Sequence, residues 1–390
     1  MSMLTQWLLV ATAVALGWAL GYWQNRRPAS SSGNGSSTSG TIRYPKAVHY
    51  LFDAYDAPTL DSFVHSLPVN RDTIPIHLSL AHHYRRRGEV EKATILHQNL
   101  LAHPEVRVHC GDQVQFELAE DYLAAGLYDR AESILLELRQ SPDWKARATL
   151  KLLDIYEHEK DWEIARDLAL SLDHRKDRTL QIRLAHYCCE IAERANRRGD
   201  WNEAREQLRA ALNYDRGAVR ASLALARLCI SRKLYAEAVG ELKRIEQQDV
   251  GYLGEAIGLL DEALSGMGQR EKMQHYFERY WQLAPSTVMM VSWAQYKASV
   301  EGRQAAIDFL LEQLDEHPNL RGVSSLVMLL YPMADEDHKH WIRILNGVVE
   351  SIIERTPHYV CEQCGFTGRQ LHWQCPSCKH WSTVKPKPWI

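Results

Sequence analysis

The chain has 390 residues, which is enough for two or three domains that each bury a core. Its formal net charge of −3 at pH 7 gives no overall attraction to nucleic acid or to an anionic membrane surface. Of its eight cysteines, four are scattered through helical-looking sequence and four form two close pairs near the end, which excludes the framework of a disulfide-rich secreted protein.

The chain begins with a strongly apolar segment. Residues 1–25 contain no Asp, Glu, Lys or Arg, and the run from Leu4 to Trp23 is dominated by Leu, Val, Ala and Trp. A helix of that length spans roughly 30 Å, the thickness of a bilayer core. A cleaved signal peptide is the alternative, but the apolar run has no basic segment before it and no clear cleavage site after it. We predict a transmembrane anchor, and the positive charges of Arg26 and Arg27 after it place the rest of the protein in the cytoplasm.

Residues 26–43 form a flexible linker, and its Ser/Gly-rich part at 29–40 has no side chain able to hold a core. The segment 46–66 that follows is interpreted as a degenerate first repeat, with Pro58 near the start of its second helix. We expect the linker to tether the repeats near the membrane without fixing their orientation.

An internal period fills the centre of the chain. Five stretches share the pattern Leu-Ala-x-x-Tyr-x-x-x-Gly-x-aromatic-x-x-Ala: LAHHYRRRGEVEKA (80–93), LAEDYLAAGLYDRA (118–131), LLDIYEHEKDWEIA (152–165), IAERANRRGDWNEA (191–204) and LARLCISRKLYAEA (225–238). Their last alanines recur at intervals of 38, 34, 39 and 34, and weaker copies follow at 260–273 and 293–306. A period near 34 with two helices per unit is that of the tetratricopeptide repeat. The sequence predicts an all-α fold, with a superhelical array of about seven repeats over residues 44–335.

The turn between the two helices of a repeat has its own signal. Gly88, Gly126 and Gly199 lie there, where φ can be positive. Lys160 and Lys233 replace this glycine in two copies, which costs little if that position keeps helical angles.

The first helices of the repeats are expected to line a groove that holds a partner segment. By register, seven charged residues should lie on these inner helices: Arg85, Arg86, Glu120, Asp154, Glu193, Arg197 and Arg227. A merely solvated polar face is the alternative for each of them. Adjacent Cys188 and Cys189 point about 100° apart on a helix, so at most one is expected to face the core.

A linking helix is predicted over residues 336–356, followed by a small domain over 357–390. That domain carries a C-x2-C-x10-C-x2-C pattern, made by Cys361, Cys364, Cys375 and Cys378. Four thiolates at these spacings can surround one metal ion, iron or zinc, in a tetrahedron. Two disulfides are the alternative, which a cytoplasmic location disfavours. So small a domain cannot fold on its own apolar core, so the metal must supply its stability.

Four aromatic residues of this domain are expected to cover the metal site and to seat it on the linking helix: Phe366, Trp373, Trp381 and Trp389. The domain holds four Lys or Arg against one Glu. Four thiolates with one divalent ion add about −2, which leaves little attraction to phosphate, so no nucleic-acid partner is expected.

The sequence contains no catalytic constellation. It has no H-E-x-x-H, G-x-S-x-G, Walker or Rossmann pattern. A four-cysteine site is closed and leaves no open coordination position for hydrolysis. We therefore do not expect an enzyme.

The chain resembles the lipopolysaccharide assembly protein B family of Gram-negative bacteria. It has the same order of parts: an anchor, a tetratricopeptide array and a terminal four-cysteine module. The resemblance covers nearly the whole chain and is most specific at four places: RRRGEVEKATILHQ (85–98), AAGLYDRAE (124–132), AHYCCE (185–190), and CEQCGF followed by WQCPSCKHWSTVKP (373–386). The Ser/Gly linker and the segment 46–66 depart from the family's pattern.

The resemblance implies a rubredoxin-like terminal domain in which the four cysteines match the family's metal ligands. It also implies a single-pass inner-membrane adaptor that limits lipopolysaccharide synthesis. Such an adaptor promotes degradation of the deacetylase that commits precursor to lipid A, by the membrane protease FtsH, and is linked to lipopolysaccharide assembly or transport proteins. A rubredoxin-like electron-transfer or redox-sensing protein is the alternative. The sequence leaves the oligomeric state open, a homo-oligomer included.

Overall fold

A computed structural model describes residue 62 and residues 66–389. The predicted anchor at 1–25 and the linker at 26–43 lie outside these residues, as does the segment 46–66 apart from residues 62 and 66. Among the described residues, no helix is both long enough and apolar enough to cross a membrane. The chain divides into two compact units between Asp121 and Tyr122.

The described residues are mostly helical. Their α-helices are α1 (Ile74–Arg86), α2 (Val90–Ala102), α3 (Pro104–Ala124), α4 (Tyr128–Leu138), α5 (Lys145–Glu159), α6 (Trp162–Leu170), α7 (Arg178–Arg197), α8 (Trp201–Tyr214), α9 (Val219–Ser231), α10 (Tyr235–Gln248), α11 (Leu253–Gly266), α12 (Met273–Leu283), α13 (Thr287–Val300), α14 (Arg303–Glu316), α15 (Leu320–Leu330) and α16 (Glu336–Arg355). The backbone of α3 breaks at Cys110, where φ is −148°. Each of the seven sequence copies falls on one consecutive helix pair from α1 to α14, and α15 with α16 adds a further pair.

In the turn between paired helices, the predicted glycine has a left-handed backbone conformation. The values of φ are +81° at Gly88, +74° at Gly126 and +81° at Gly199. The next N–H then bonds the carbonyl five residues earlier, as Leu127 N does to Tyr122 O at 2.8 Å. This bond satisfies a carbonyl that the end of the first helix would leave without a partner.

The two turn lysines do not keep helical angles. Lys160 and Lys233 have φ of +63° and +61°, the same left-handed conformation as the glycines. The closing hydrogen bond is also kept, since Asp161 N donates to Tyr156 O at 2.9 Å. The turn therefore imposes its geometry whatever the side chain, at a cost of about 1–2 kcal/mol for a residue with a Cβ.

Small residues let the paired helices approach closely. The alanines that end the sequence pattern are all at most 1% exposed: Ala93, Ala131, Ala165, Ala204 and Ala238. Because a larger side chain at these positions would separate the two helices, the period of the sequence is also the period of the core.

Cys188 and Cys189 are both buried, so the expectation that at most one would face the core is wrong. Each is 1% exposed, because α7 packs against α6, α8 and α9 and has apolar neighbours on more than one side. Burial raises the pKa of each thiol to about 12. These thiols are therefore protonated and unreactive at neutral pH.

A small antiparallel sheet follows α16. Its strands are β1 (Tyr359–Cys361), β2 (Thr367–Gly368) and β3 (Val384–Pro386), in the order β2-β1-β3. Tyr359 lies opposite Gly368 on one side and opposite Pro386 on the other. The central strand ends on the first cysteine of the terminal module.

Candidate metal centre and its seat on the repeat array

Each cysteine pair lies in a turn of the same construction. In the first turn, Gly365 has φ of +76° and its N–H donates to the Cys361 carbonyl at 2.9 Å. In the second, Lys379 has φ of +60° and donates to the Cys375 carbonyl at 2.9 Å. The left-handed residue after each pair curls the backbone round, which brings both sulfurs of the pair to the same side of the turn.

The two turns bring four sulfurs together. The Sγ atoms of Cys361, Cys364, Cys375 and Cys378 all lie within 4.8 Å of one another. The Sγ atoms are 3.7 Å apart in the Cys361–Cys378 pair and in the Cys364–Cys375 pair. Sulfurs bound tetrahedrally to one ion at about 2.3 Å lie about 3.8 Å apart, whereas bonded sulfurs in a disulfide lie at about 2.05 Å. The donor set therefore fits one iron or zinc ion, and all eight cysteines of the chain are free thiols.

The surroundings of Cys361 and Cys364 favour the ionised sulfur that a metal requires, whereas the pKa of Cys378 is raised. Burial acts to raise the pKa of the Cys361 thiol, but its hydrogen bond with the Thr383 side chain and hydrogen bonds from neighbouring N–H groups outweigh burial and lower the pKa to about 6. The Phe366 N–H lowers the pKa of Cys364 in the same way. Backbone dipoles aimed at the sulfurs thus complement the negative charge of thiolate ligands.

One half of the module is seated on the array by Trp381. Its indole stacks on the His186 ring of α7 at 4.5 Å between centroids and meets Trp162 of α6 edge-on at 6.1 Å. The His186 Nε2 atom lies 2.7 Å from the Ser382 Oγ. Burial, reinforced by the nearby Arg220 guanidinium, lowers the pKa of His186. The imidazole at this contact is therefore neutral at pH 7.

Glu157 of α5 joins the module to two neighbouring repeats. One carboxylate oxygen accepts from Arg183 Nε at 2.7 Å, from the Tyr187 hydroxyl at 2.5 Å and from Trp381 Nε1 at 3.2 Å. The other accepts from Gln374 Nε2 at 2.8 Å. The side chain of Glu157 is 8% exposed. Two donors from α7 and two from the module thus meet at one buried carboxylate of α5, which fixes the relative positions of these three parts.

The other half of the module is seated near the start of α11. The Tyr252 hydroxyl donates to the Val384 carbonyl at 2.8 Å, and its ring stacks on Trp373 at 5.5 Å. Lys385 Nζ lies 2.5 Å from the Asp249 carboxylate. This half of the module is therefore held to the array by an apolar stack, a neutral hydrogen bond and an ion pair.

The expectation that the module is seated on the linking helix is wrong. Trp373 and Trp381 contact the array, and Trp389 stacks on His317 at 4.1 Å. The module also touches α16, where Arg369 donates to the Glu354 carbonyl at 3.2 Å. The array is the main seat because the inner helices of successive repeats offer aromatic and charged partners in a row.

Three of the predicted partner-binding residues lie in the first unit. Arg85 is engaged within the fold, since its guanidinium lies 2.6 Å from Glu117 and 2.7 Å from Asp121. Arg86 is exposed and Glu120 is half-buried. The environment of Arg85 indicates a structural ion pair, so of the three Arg86 is the most accessible to a partner.

The other four lie in the second unit. Asp154 pairs with Arg183 at 2.9 Å, and Glu193 pairs with Arg220 at 2.8 Å, so each links the first helices of adjacent repeats. The remaining two are exposed: Arg197 and Arg227. Binding of a partner by these residues stays a prediction.

Sequence reasoning missed the array residues that receive the module. Glu157, His186 and Tyr252 carry most of the polar and stacking contacts. The repeat pattern does not predict these contacts, because their partners lie in the module, far along the chain. Histidine and tyrosine at positions where an exposed residue would usually be charged were the available signal that another part of the chain covers this surface.

Comparisons with known proteins match both parts of this arrangement. A family model described as a rubredoxin metal binding domain matches residues 359–386, and a tetratricopeptide repeat model matches residues 195–260. Lipopolysaccharide assembly protein B of Escherichia coli (strain K12) is 29% identical over 380 residues, with 97% of each chain covered. The protein of the same name from Haemophilus influenzae (strain ATCC 51907 / DSM 11121 / KW20 / Rd) is 28% identical over 388 residues, again with 97% of each chain covered.

The resemblance to the lipopolysaccharide assembly protein B family is confirmed. Because 97% of both chains aligns, the likeness to this family includes the repeats together with the four-cysteine module. A crystallised tetratricopeptide repeat protein from Parabacteroides merdae ATCC 43184 is 12% identical, has a TM-score of 0.34, and covers 65% of this chain and 97% of its own.

Proposed function

We propose that this protein is an inner-membrane adaptor of lipopolysaccharide biosynthesis with no reaction of its own. It promotes degradation of the deacetylase that commits precursor to lipid A, by the membrane protease FtsH, and it scaffolds lipopolysaccharide assembly. The observation that carries the proposal is the match over 97% of both chains to proteins named lipopolysaccharide assembly protein B.

The architecture supports an adaptor. Tetratricopeptide arrays bind segments of other proteins along the inner faces of their repeats. Here the module lies on inner helices of the second unit, through Glu157 of α5 and His186 of α7. A partner that approaches this face therefore meets array and module together. A centre closed by four cysteines supplies structure there, because it has no coordination position open for a substrate.

The predicted anchor explains how an adaptor without a reaction acts. An anchored protein meets membrane-bound partners in a thin layer rather than in the whole cytoplasm, which raises its effective concentration without any new contact. The proposal therefore depends on residues 1–25.

The test measures the half-life of the deacetylase in Gram-negative cells depleted of their own family member. We expect the full chain to shorten the half-life and a chain that lacks residues 1–25 to leave it long, although both accumulate as folded protein. A third chain, with residues 1–25 replaced by an unrelated single-pass anchor of the same orientation, should restore degradation. An unchanged half-life with the full chain would refute the adaptor proposal, and full activity of the soluble form would remove the role of the anchor.

A rubredoxin-like electron-transfer or redox-sensing protein is the second candidate. The description of the matching family model favours it, and the Cys364 side chain is exposed, so a bound ion would lie near solvent. Metal analysis after purification under native conditions separates the two candidates. One iron per chain with a reversible potential would support the redox function, and one zinc would exclude it because zinc has no redox chemistry.

A further inference from the structure

The last helix of the array, α16, has an apolar outer face. Trp341, Leu345, Val348 and Ile352 follow one another at helical spacing and are 63%, 63%, 55% and 46% exposed. We call these four residues the outer stripe. Residues spaced by four, three and four positions lie on one side of an α-helix, so the stripe is continuous.

The opposite side of α16 is already occupied. Asn346 accepts a hydrogen bond from the Ser324 hydroxyl of α15 at 2.9 Å, and Ile353 is buried. The helix is therefore held in place by its inner side, and the outer stripe is not needed to attach it to the array.

An apolar outer face is unusual at the end of a repeat array. Terminal repeats normally carry a polar outer face, because no further repeat covers them. The four side chains of the outer stripe expose on the order of 500 Å² of mainly apolar surface, as large as the patches that mark interaction sites. The exposed apolar area of the outer stripe therefore indicates an interaction surface.

The charge of α16 argues against an anionic membrane as that partner. Its basic residues are Lys339, Arg343 and Arg355, and its acidic residues are Glu336, Asp337, Glu350 and Glu354, a net charge of 3 − 4 = −1 without histidine. Helices that lie on membrane surfaces are instead rich in Lys and Arg on the polar face. The stripe therefore fits a protein surface.

We propose that the outer stripe packs against the outer stripe of a second copy of this chain, with the two helices antiparallel across a two-fold axis. That symmetry places Trp341 opposite Ile352 and Leu345 opposite Val348, so that in each pair a larger side chain meets a smaller one. The stripe is thus complementary to itself, as an interface between identical surfaces must be.

The ends of α16 favour the antiparallel orientation. Asp337 lies in the first turn and Arg355 in the last, and both are exposed. Antiparallel pairing brings Asp337 of one copy beside Arg355 of the other, whereas parallel pairing would bring like charges together. The helix dipoles also attract each other in this orientation. Two stripes together expose about 1,000 Å², so an interface that covers both completely reaches the lower limit for a specific interface.

The test is cross-linking of the full chain in its own membrane. A benzophenone amino acid replaces Leu345, and two differently tagged copies are expressed together. We expect a cross-linked pair that carries both tags. Adding Val348→Glu should reduce the yield about tenfold or more, since it buries a charge without a partner. Gly347→Glu is the matched control, because a side chain built there meets nothing within 4 Å and points away from the stripe; it should leave the yield unchanged.

A charge exchange tests the orientation. Asp337→Arg alone should lower the yield about 2- to 5-fold, the range of an exposed ion pair, and Asp337→Arg with Arg355→Asp should restore it. The proposal would be overturned if the benzophenone chain gave no cross-linked product with both tags, or if Val348→Glu left the yield of that product unchanged. Cross-links from position 345 to lipid alone would assign the stripe to the membrane instead. Failure of the double exchange to restore the yield would overturn the antiparallel arrangement.

Discussion

Lys160 and Lys233 hold a left-handed backbone where other repeats use glycine. The sequence predicts the place of these turns but not the conformation of the two lysines. The conformation follows from the bond that closes the turn, from the next N–H to a carbonyl five residues back. At the scale of one residue, backbone hydrogen bonding therefore outweighs the preference of the side chain.

Replacing Lys233 by glycine should stabilise the protein. The left-handed conformation costs a residue with a Cβ about 1–2 kcal/mol, and the flexibility of glycine in the unfolded chain offsets about 0.5–1 kcal/mol of that. We expect the free energy of unfolding to rise by about 0.5–1 kcal/mol, measured by urea denaturation. Lys233→Ala is the control, since it removes the charge and keeps the Cβ. An equal gain in both variants would attribute the effect to the charge rather than to the backbone.

At the scale of an element, the terminal module was predictable in part. The four cysteines come together as predicted, because each C-x-x-C turn is a local structure whose geometry its own few residues determine. Its seat was not predictable in this way, since Gln374 and Trp381 reach a carboxylate more than 200 positions earlier, at Glu157. Nothing in the spacing of either segment encodes that contact.

Glu157→Ala should loosen the module from the array. The substitution leaves the Arg183 guanidinium largely buried without its closest carboxylate and removes the acceptor of Trp381 and Gln374. Breaking a buried charge pair costs about 3 kcal/mol or more. We expect amide hydrogen exchange over residues 373–386 to become about 100-fold faster.

Asp154→Asn is the matched control for this prediction. It removes the other carboxylate on Arg183, but Asp154 is 53% exposed, so we expect a change below about 1 kcal/mol. If both variants exchanged at the same rate, Glu157 would not be the residue that fixes the module.

At the scale of the whole molecule, the order of parts was predictable because each repeat is specified by its own residues and its neighbours. The helix pairs from α1 to α14 accordingly follow the sequence copies one by one. The helix pair α15 and α16 carries no copy of the pattern, and the outer stripe depends on which of its sides α15 covers. Which side of a helix remains exposed depends on how the helices pack, and the repeat pattern of the sequence does not predict it.

In a linear array, single repeats ordinarily bend or unfold locally, since distant repeats do not touch. The terminal module changes this in the second unit, because it contacts Glu157 in the third helix pair and accepts a hydrogen bond from Thr287 N in the seventh, through the Pro388 carbonyl at 2.7 Å. The module therefore connects the third helix pair to the seventh. A tail of about thirty residues therefore ties these repeats together, and an ion bound by its four cysteines would stiffen the surface that it spans.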